Sequence, residues 1–294
     1  MNAPAQDELF LLGTGTSTPA ASRFGTAYVL KLGGDCIMVD CGPAATWKLV
    51  RSGLWPTQVN TLLLTHHHFD HTADLPCFLL CRWDQSTGKE QALRVFGPPS
   101  TDQFVAKLIG PTGAFADDWE ARIAAPVSQS VYVNRGGALP RPLLDVDVQD
   151  LGPEVNVEGT GWRLTTARAH HVEPYLESLA YRIDTERGSI VFTGDTSPCP
   201  ELDSLARGTD VLVVNCWDRQ ETMDRLGESP GQTGTLDAGR MACDSEAKTL
   251  VLTHTGAHLC RPGVREAAVL EVASLFKGTI VFADEGMVLP LWQV

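Results

Sequence analysis

The eight histidines of this chain are not scattered. They fall in three clusters: His66, His67, His68 and His71; His170 and His171; His254 and His258. Each cluster follows an apolar or β-branched run that reads as a strand, over residues 61–64, 162–167 and 249–252. A fourth such run, 190–192, ends on Thr193-Gly194-Asp195-Thr196. Delivering polar groups from four strand ends requires a fold that brings those ends to one sheet edge, where a rigid scaffold can hold a shared site. Gly194 beside Asp195 lets the backbone approach that site without a side chain in the way.

The first cluster is the densest. Thr65-His66-His67-His68-Phe69-Asp70-His71 sets four donors, His66, His68, Asp70 and His71, within six residues. His66 and His68, two apart, can face the same side of an extended segment. Asp70 and His71 lie past the turn and can face a second ion. A mixed imidazole and carboxylate set suits zinc first, with manganese, iron, cobalt or nickel also compatible. Calcium and magnesium prefer all-oxygen cages. Such an array can hold two divalent metals side by side and activate water for hydrolysis. His67 and His170 read as supporting residues beside better-placed donors. His258, four after His254, reaches the site if residues 255–259 coil, and is a candidate catalytic or substrate contact.

The chain has 294 residues, enough for a sizeable core, and ordinary hydrophobic (43%) and charged (20%) fractions for a globular protein. Its formal net charge of −13 disfavours a broad basic surface for nucleic acid. The first seven residues carry no Lys or Arg and no apolar core of a secretory signal, and no run approaches a membrane span. With eight cysteines and no Cys-x2-Cys pair, these features lead to an expectation of reduced thiols in a cytoplasmic protein. Cys77 and Cys81 read as two buried small apolar residues.

Further strand-like runs cover 9–12, 27–32, 36–39, 93–96, 179–183, 211–214, 279–282 and 287–291. Helical patterns cover 44–51, 75–83, 101–108, 201–206, 235–243 and 264–276. Strands both neighbour one another and alternate with helices, which points to an α/β (α+β) chain with two mixed sheets and helices outside. We expect a single domain over 1–294. Residues 109–150 are the least regular part and read as an insertion, a lid or a subunit contact. The Gly-rich stretch 227–234 reads as a second loop.

Taken together, these residues resemble the metallo-β-lactamase superfamily, over nearly the whole chain. The flanking motifs Leu12-Gly13-Thr14-Gly15-Thr16-Ser17-Thr18-Pro19 with Arg23, Val39-Asp40-Cys41-Gly42, Phe96-Gly97-Pro98-Pro99, Ala180-Tyr181-Arg182-Ile183 and Leu252-Thr253-His254 resemble its ribonuclease Z and arylsulfatase-like branch. The resemblance implies a four-layer αββα sandwich and two divalent metal ions. It implies His66, His68 and His171 on the first metal, Asp70, His71 and His254 on the second, and Asp195 bridging them. His171 is preferred to His170 because His171-Val172-Glu173-Pro174 resembles the branch's His-x-x-Pro pattern. A metal-bridging hydroxide would then be the nucleophile, with Asp70 orienting it and Asp195 setting the metal spacing. Homodimers are common in this branch, and one is expected here.

Two departures bear on substrate. Transfer-RNA-processing ribonuclease Z carries a long arm where this chain has only residues 184–189, and a His-Glu pair where this chain reads Val214-Asn215-Cys216-Trp217-Asp218. With the acidic charge, these departures lead to an expectation of a small organic substrate (an ester, lactone, sulfate ester or phosphodiester) and make nucleic acid unexpected. RNA hydrolysis and metabolite sensing without turnover are the alternatives. Trp217, Tyr175 and Arg219 are the candidate substrate residues; Trp83 and residues 117–119 are further candidate pocket walls. Arg182 reads as structural.

Overall fold

The computed structural model describes residues 7–292. Two seven-stranded sheets stack face to face. In chain order the first contains β1 (Glu8–Thr14), β2 (Thr26–Leu32), β3 (Asp35–Val39), β4 (Thr61–Leu63), β5 (Leu93–Gly97) and β6 (Val146–Asp150). The second contains β7 (Asn156–Glu158), β8 (Trp162–Arg168), β9 (Leu179–Thr185), β10 (Ser189–Phe192), β11 (Val211–Asn215), β12 (Thr249–Thr253) and β13 (Thr279–Phe282). The last strand, β14 (Met287–Pro290), returns to the first sheet beside β1.

Strand sequences explain the stacking. Along β1, Leu9 and Leu11 enter the core between the sheets, while Phe10 and Leu12 enter the core beneath the outer helices. Val211 and Val213 of β11 face inward, and Leu212 and Val214 face outward. Both faces of these strands are buried, so they read as unbroken apolar runs, not as alternating ones. The outer layer on the first sheet includes α1 (Ala45–Arg51), α3 (Leu75–Gln85) and α4 (Thr101–Ile109), and the single turn α2 (Phe69–Thr72) precedes α3. That on the second includes α7 (Pro200–Ala206), α9 (Thr235–Asp244) and α10 (Val264–Leu275). The result is the four-layer αββα sandwich.

The segment expected to be irregular is ordered instead. Residues 109–150 contain α5 (Ala116–Ala124), α6 (Pro126–Asn134) and the edge strand β6. The helices are short, and Gly110, Gly113, Gly136 and Gly137 at their ends obscured the helical period. Trp83 of α3 and Trp119 of α5 are buried in one small apolar cluster, and Arg141 lies 3.7 Å over the Trp83 ring; the depressions they border include no histidine of the three clusters. The helix α8 (Gln220–Leu226) was also not read from the sequence. Cys77 is exposed, and its Sγ lies 4.0 Å from that of Cys81 on the same face of α3, so this pair is not part of the core.

Candidate metal centre

Topology brings the polar strand ends together. β3 and β4 are parallel, as are β10, β11 and β12; β8, antiparallel to β9 and β9 to β10, runs with them. Their C-terminal ends therefore share one edge, at the seam between the two sheets. Asp40 follows β3, His66 to His71 follow β4, His171 follows β8, Asp195 follows β10 and His254 follows β12. Asp40 and His254 both hold left-handed backbone conformations, φ 58° and 50°, that turn the chain sharply as it leaves its strand.

The side chains converge in two triads. Donor atoms of His66, His68 and His171 lie within 4.8 Å of one another, as do those of Asp70, His71 and His254. Asp195 stands between: its carboxylate oxygens lie 3.6 Å from His71 Nε2, 3.8 Å from His171 Nε2 and 3.2 Å from His254 Nε2. His254 Nε2 is also 3.2 Å from Asp70 Oδ2.

Ring orientations are set from behind. His71 Nδ1 donates to Asp40 Oδ2 at 2.7 Å. His171 Nδ1 donates to the carbonyl of Gly231 at 2.8 Å. His66 Nδ1 lies 3.0 Å from Thr65 Oγ1, which itself donates to Asp40 at 2.9 Å. In each case the back nitrogen carries the proton, leaving the Nε2 lone pair facing the cage. The carboxylate of Asp40 thus supports one histidine of each triad. Its role was not read from the sequence, where Asp40 stands only as part of the Val39-Asp40-Cys41-Gly42 motif.

Electrostatics separate the groups. Burial, with His71 adding to it, pushes His66 well below the usual histidine range, and burial followed by His171 lowers His68. Burial opposes charge on His71, yet Asp40 and Asp195 hold its pKa well above the usual value. Burial also opposes charge on Asp195, but His254 and His71 keep its carboxyl ionised, well below the ordinary range.

These donors fit divalent metal ions. His71 Nε2 and Asp195 Oδ1 are buried without hydrogen-bond partners. His68 Nδ1 faces His66 Nε2 at 3.0 Å and His171 Nε2 at 3.2 Å, so three ring nitrogens converge on one point. Such groups are costly to bury unless something shared satisfies them.

Other candidates divide. His67 bonds Thr101 Oγ1 at 2.8 Å and stacks on Phe104, outside the cage. Trp217 lies beside it, with its ring 6.1 Å from that of His254 and its Nε1 donating to Glu228. His258 Nδ1 is 2.8 Å from Asp218 Oδ2. Arg219 is not free to meet a substrate anion, because Glu271 takes its guanidinium. Tyr175 is 92% exposed. Arg182 is structural in role, bonding Asp184 and the carbonyls of Leu205 and Arg207.

The model of the Metallo-beta-lactamase superfamily matches residues 21–254. The chain belongs to this superfamily. It is accordingly a metal-dependent hydrolase. A protein named ribonuclease Z from Mycobacterium avium (strain 104) is 33% identical over 254 residues, 84% of this chain and 85% of that protein. Among solved structures, the metallo-beta-lactamase fold protein YhfI from Bacillus subtilis matches with a TM-score of 0.75 and 21% identity, covering 97% of this chain and 99% of that one. Human tRNase Z, short form, matches with a TM-score of 0.69 and 20% identity, covering 97% and 99%.

These relatives correct the expectation of a small organic substrate with nucleic acid set aside, since several curated relatives carry the name ribonuclease Z. The physical error lay in the weight given to bulk charge and to the missing arm. A net charge of −13 averages over the whole surface and says nothing of the field at the cage. The arm is indeed absent, with β9 and β10 joined by a tight turn closed by Thr185 N and Gly188 O. That removes one possible grip on a substrate and leaves the cage intact. Among the described residues, no helix is long and apolar enough to cross a membrane.

Proposed function

We propose that this superfamily member is a dinuclear metal-dependent phosphodiesterase acting on RNA. The observation that carries the reading is the pair of triads joined through Asp195, in a chain 33% identical to a protein named ribonuclease Z. His66, His68 and His171 would hold one ion and Asp70, His71 and His254 the other, with the Asp195 carboxylate placed between the two triads. The imidazole-rich donor set favours zinc, with manganese or iron as substitutes. When bound, the two ions supply acidified water as the nucleophile and positive charge to receive the scissile phosphate.

The chain's own residues do the rest. Asp40 locks His71 and, through Thr65, His66, so the cage needs no reorganisation during reaction. Asp70, whose Oδ2 lies 3.2 Å from His254 Nε2, would orient the attacking water. The leaving ribose oxygen needs a proton. His258, held by Asp218, is our candidate donor: Trp217, the residue before Asp218, stacks near His254, and its carbonyl accepts from Gly256 N, which draws the two loops together at the cage mouth. This pair takes the place of the His-Glu pair that the sequence lacks at 215–218. Residues 7–292 act as one domain, since a single inter-sheet core draws side chains from both sheets.

The test is cleavage of a short labelled RNA by protein loaded with zinc or manganese, with Asp195→Ala as control. Metal-dependent RNA cleavage lost in the variant is expected. Metal-loaded protein that leaves RNA intact while hydrolysing a carboxylic ester would overturn the reading.

A further inference from the structure

A second cluster of metal-binding side chains lies outside the dinuclear cage. His170 directly precedes the cage residue His171, but its Nε2 lies beside Glu201 Oε2, at 3.5 Å. That nitrogen is buried and has no hydrogen-bond partner. The Sγ of Cys199 completes the group: one donor atom from each of His170, Cys199 and Glu201 lies within 4.8 Å of the others. The thiol's other polar contact is a long one, 3.9 Å to the carbonyl of Arg168.

The scaffold behind these side chains is rigid. Ser197 N donates to the His170 carbonyl at 2.8 Å, and His170 N donates to Thr196 Oγ1 at 2.9 Å, so the loop after β8 is pinned to the loop after β10. Cys199 is buried at the N-terminal boundary of α7, and Glu201 lies in that helix's first turn. Glu201 also lines a broad depression with Pro200, Thr165 and Arg168, which opens the cluster to solvent.

We propose that His170, Cys199 and Glu201 bind a third divalent cation of borderline-soft character, zinc being the best match. One imidazole nitrogen, one thiolate and one carboxylate with a solvent-facing fourth position form a tetrahedral set of the kind zinc accepts. Donors around tetrahedral zinc sit about 3.5 Å apart, a spacing the His170–Glu201 pair already has. Burial pushes the Cys199 thiol above its usual range. Binding therefore exchanges the thiol proton, released to solvent, for the metal–sulfur bond. The ion would clamp together the two loops that deliver His171 and Asp195 to the cage.

Cobalt titration of the metal-free chain tests this. The cage contains no sulfur donor, so a near-ultraviolet thiolate-to-cobalt band reports only on a cysteine site. We expect three equivalents bound and a band that Cys199→Ser abolishes while two equivalents remain. Glu201→Gln, a change at an exposed position, should weaken the third equivalent about 10-fold or more without altering the fold. Two equivalents with no band would overturn the proposal. So would a band that survives Cys199→Ser and disappears in Cys77→Ser/Cys81→Ser. Neither readout depends on RNA cleavage, so the proposed activity and the third site fail separately.

Discussion

His71 Nδ1 and Asp40 Oδ2 lie 2.7 Å apart, and both side chains are shielded from solvent. The carboxylate that orients this histidine sits 31 residues before it, at the end of a neighbouring strand. Asp40→Asn keeps the size of the side chain and removes its charge. Metal affinity should fall about 10- to 100-fold, read by competition with a chelator. An unchanged affinity would mean that Asp40 serves only the β3–β4 connection.

The Asp218–His258 pair has its own signature. If His258 protonates the leaving oxygen, His258→Gln should slow RNA cleavage about 10²- to 10⁴-fold and barely affect a nitrophenyl phosphodiester, whose leaving group needs no proton. Asp218→Asn should follow the same pattern more weakly. Equal losses on both substrates would show the pair to be structural.

Gly42 is required by close approach. A Cβ there would stand 2.0 Å from the carbonyl oxygen of Asp70 and 2.7 Å from Thr26 N, both backbone atoms that cannot swing away. Gly42→Ala should cost about 3 kcal/mol in a denaturant melt and weaken binding at the proposed Asp70 site before that at the proposed His171 site. A stable variant with both ions tightly bound would contradict this account.

Asp84 ties the 109–150 segment to α3 through Arg135 at 2.9 Å and Arg141 at 3.1 Å. Burial raises its pKa, but Arg141 and Arg135 outweigh burial and bring the carboxyl below its usual range. A depressed folded pKa adds stability that is present above the unfolded value and lost as pH falls through the folded one. Thermal melts of Asp84→Asn and the parent chain should therefore differ at neutral pH and converge below about pH 4. A gap that persists unchanged into acid would remove the ion pairs from the explanation.

Where chemistry lies along neighbouring residues, it was legible in the sequence. His66, His68, Asp70 and His71 fall within six consecutive residues, so their spacing alone announces convergent donors. The apolar runs that lead to Asp195 and His254 announce strands that deliver polar groups, because a strand buried on both faces leaves its ends as the place for them. Substrate was misjudged from the same sequence, because net charge and a short connection are properties of the whole chain and of one loop, not of the cage.

Pairings across space belonged to the tertiary structure. Sequence alone offers no reason for Asp218 to meet His258 across 40 residues, or for Glu271 to occupy Arg219 across 52. Nor does it join His170 to Cys199 and Glu201. Such contacts depend on which loops the sheet order brings to the same edge. The sequence determined that polar donors would stand at strand ends, through hydrophobic period and local spacing. Which donors face one another was decided only when two stacked sheets placed those ends within a few ångströms, because hydrogen bonds and metal coordination act over that range and along no fixed interval of chain.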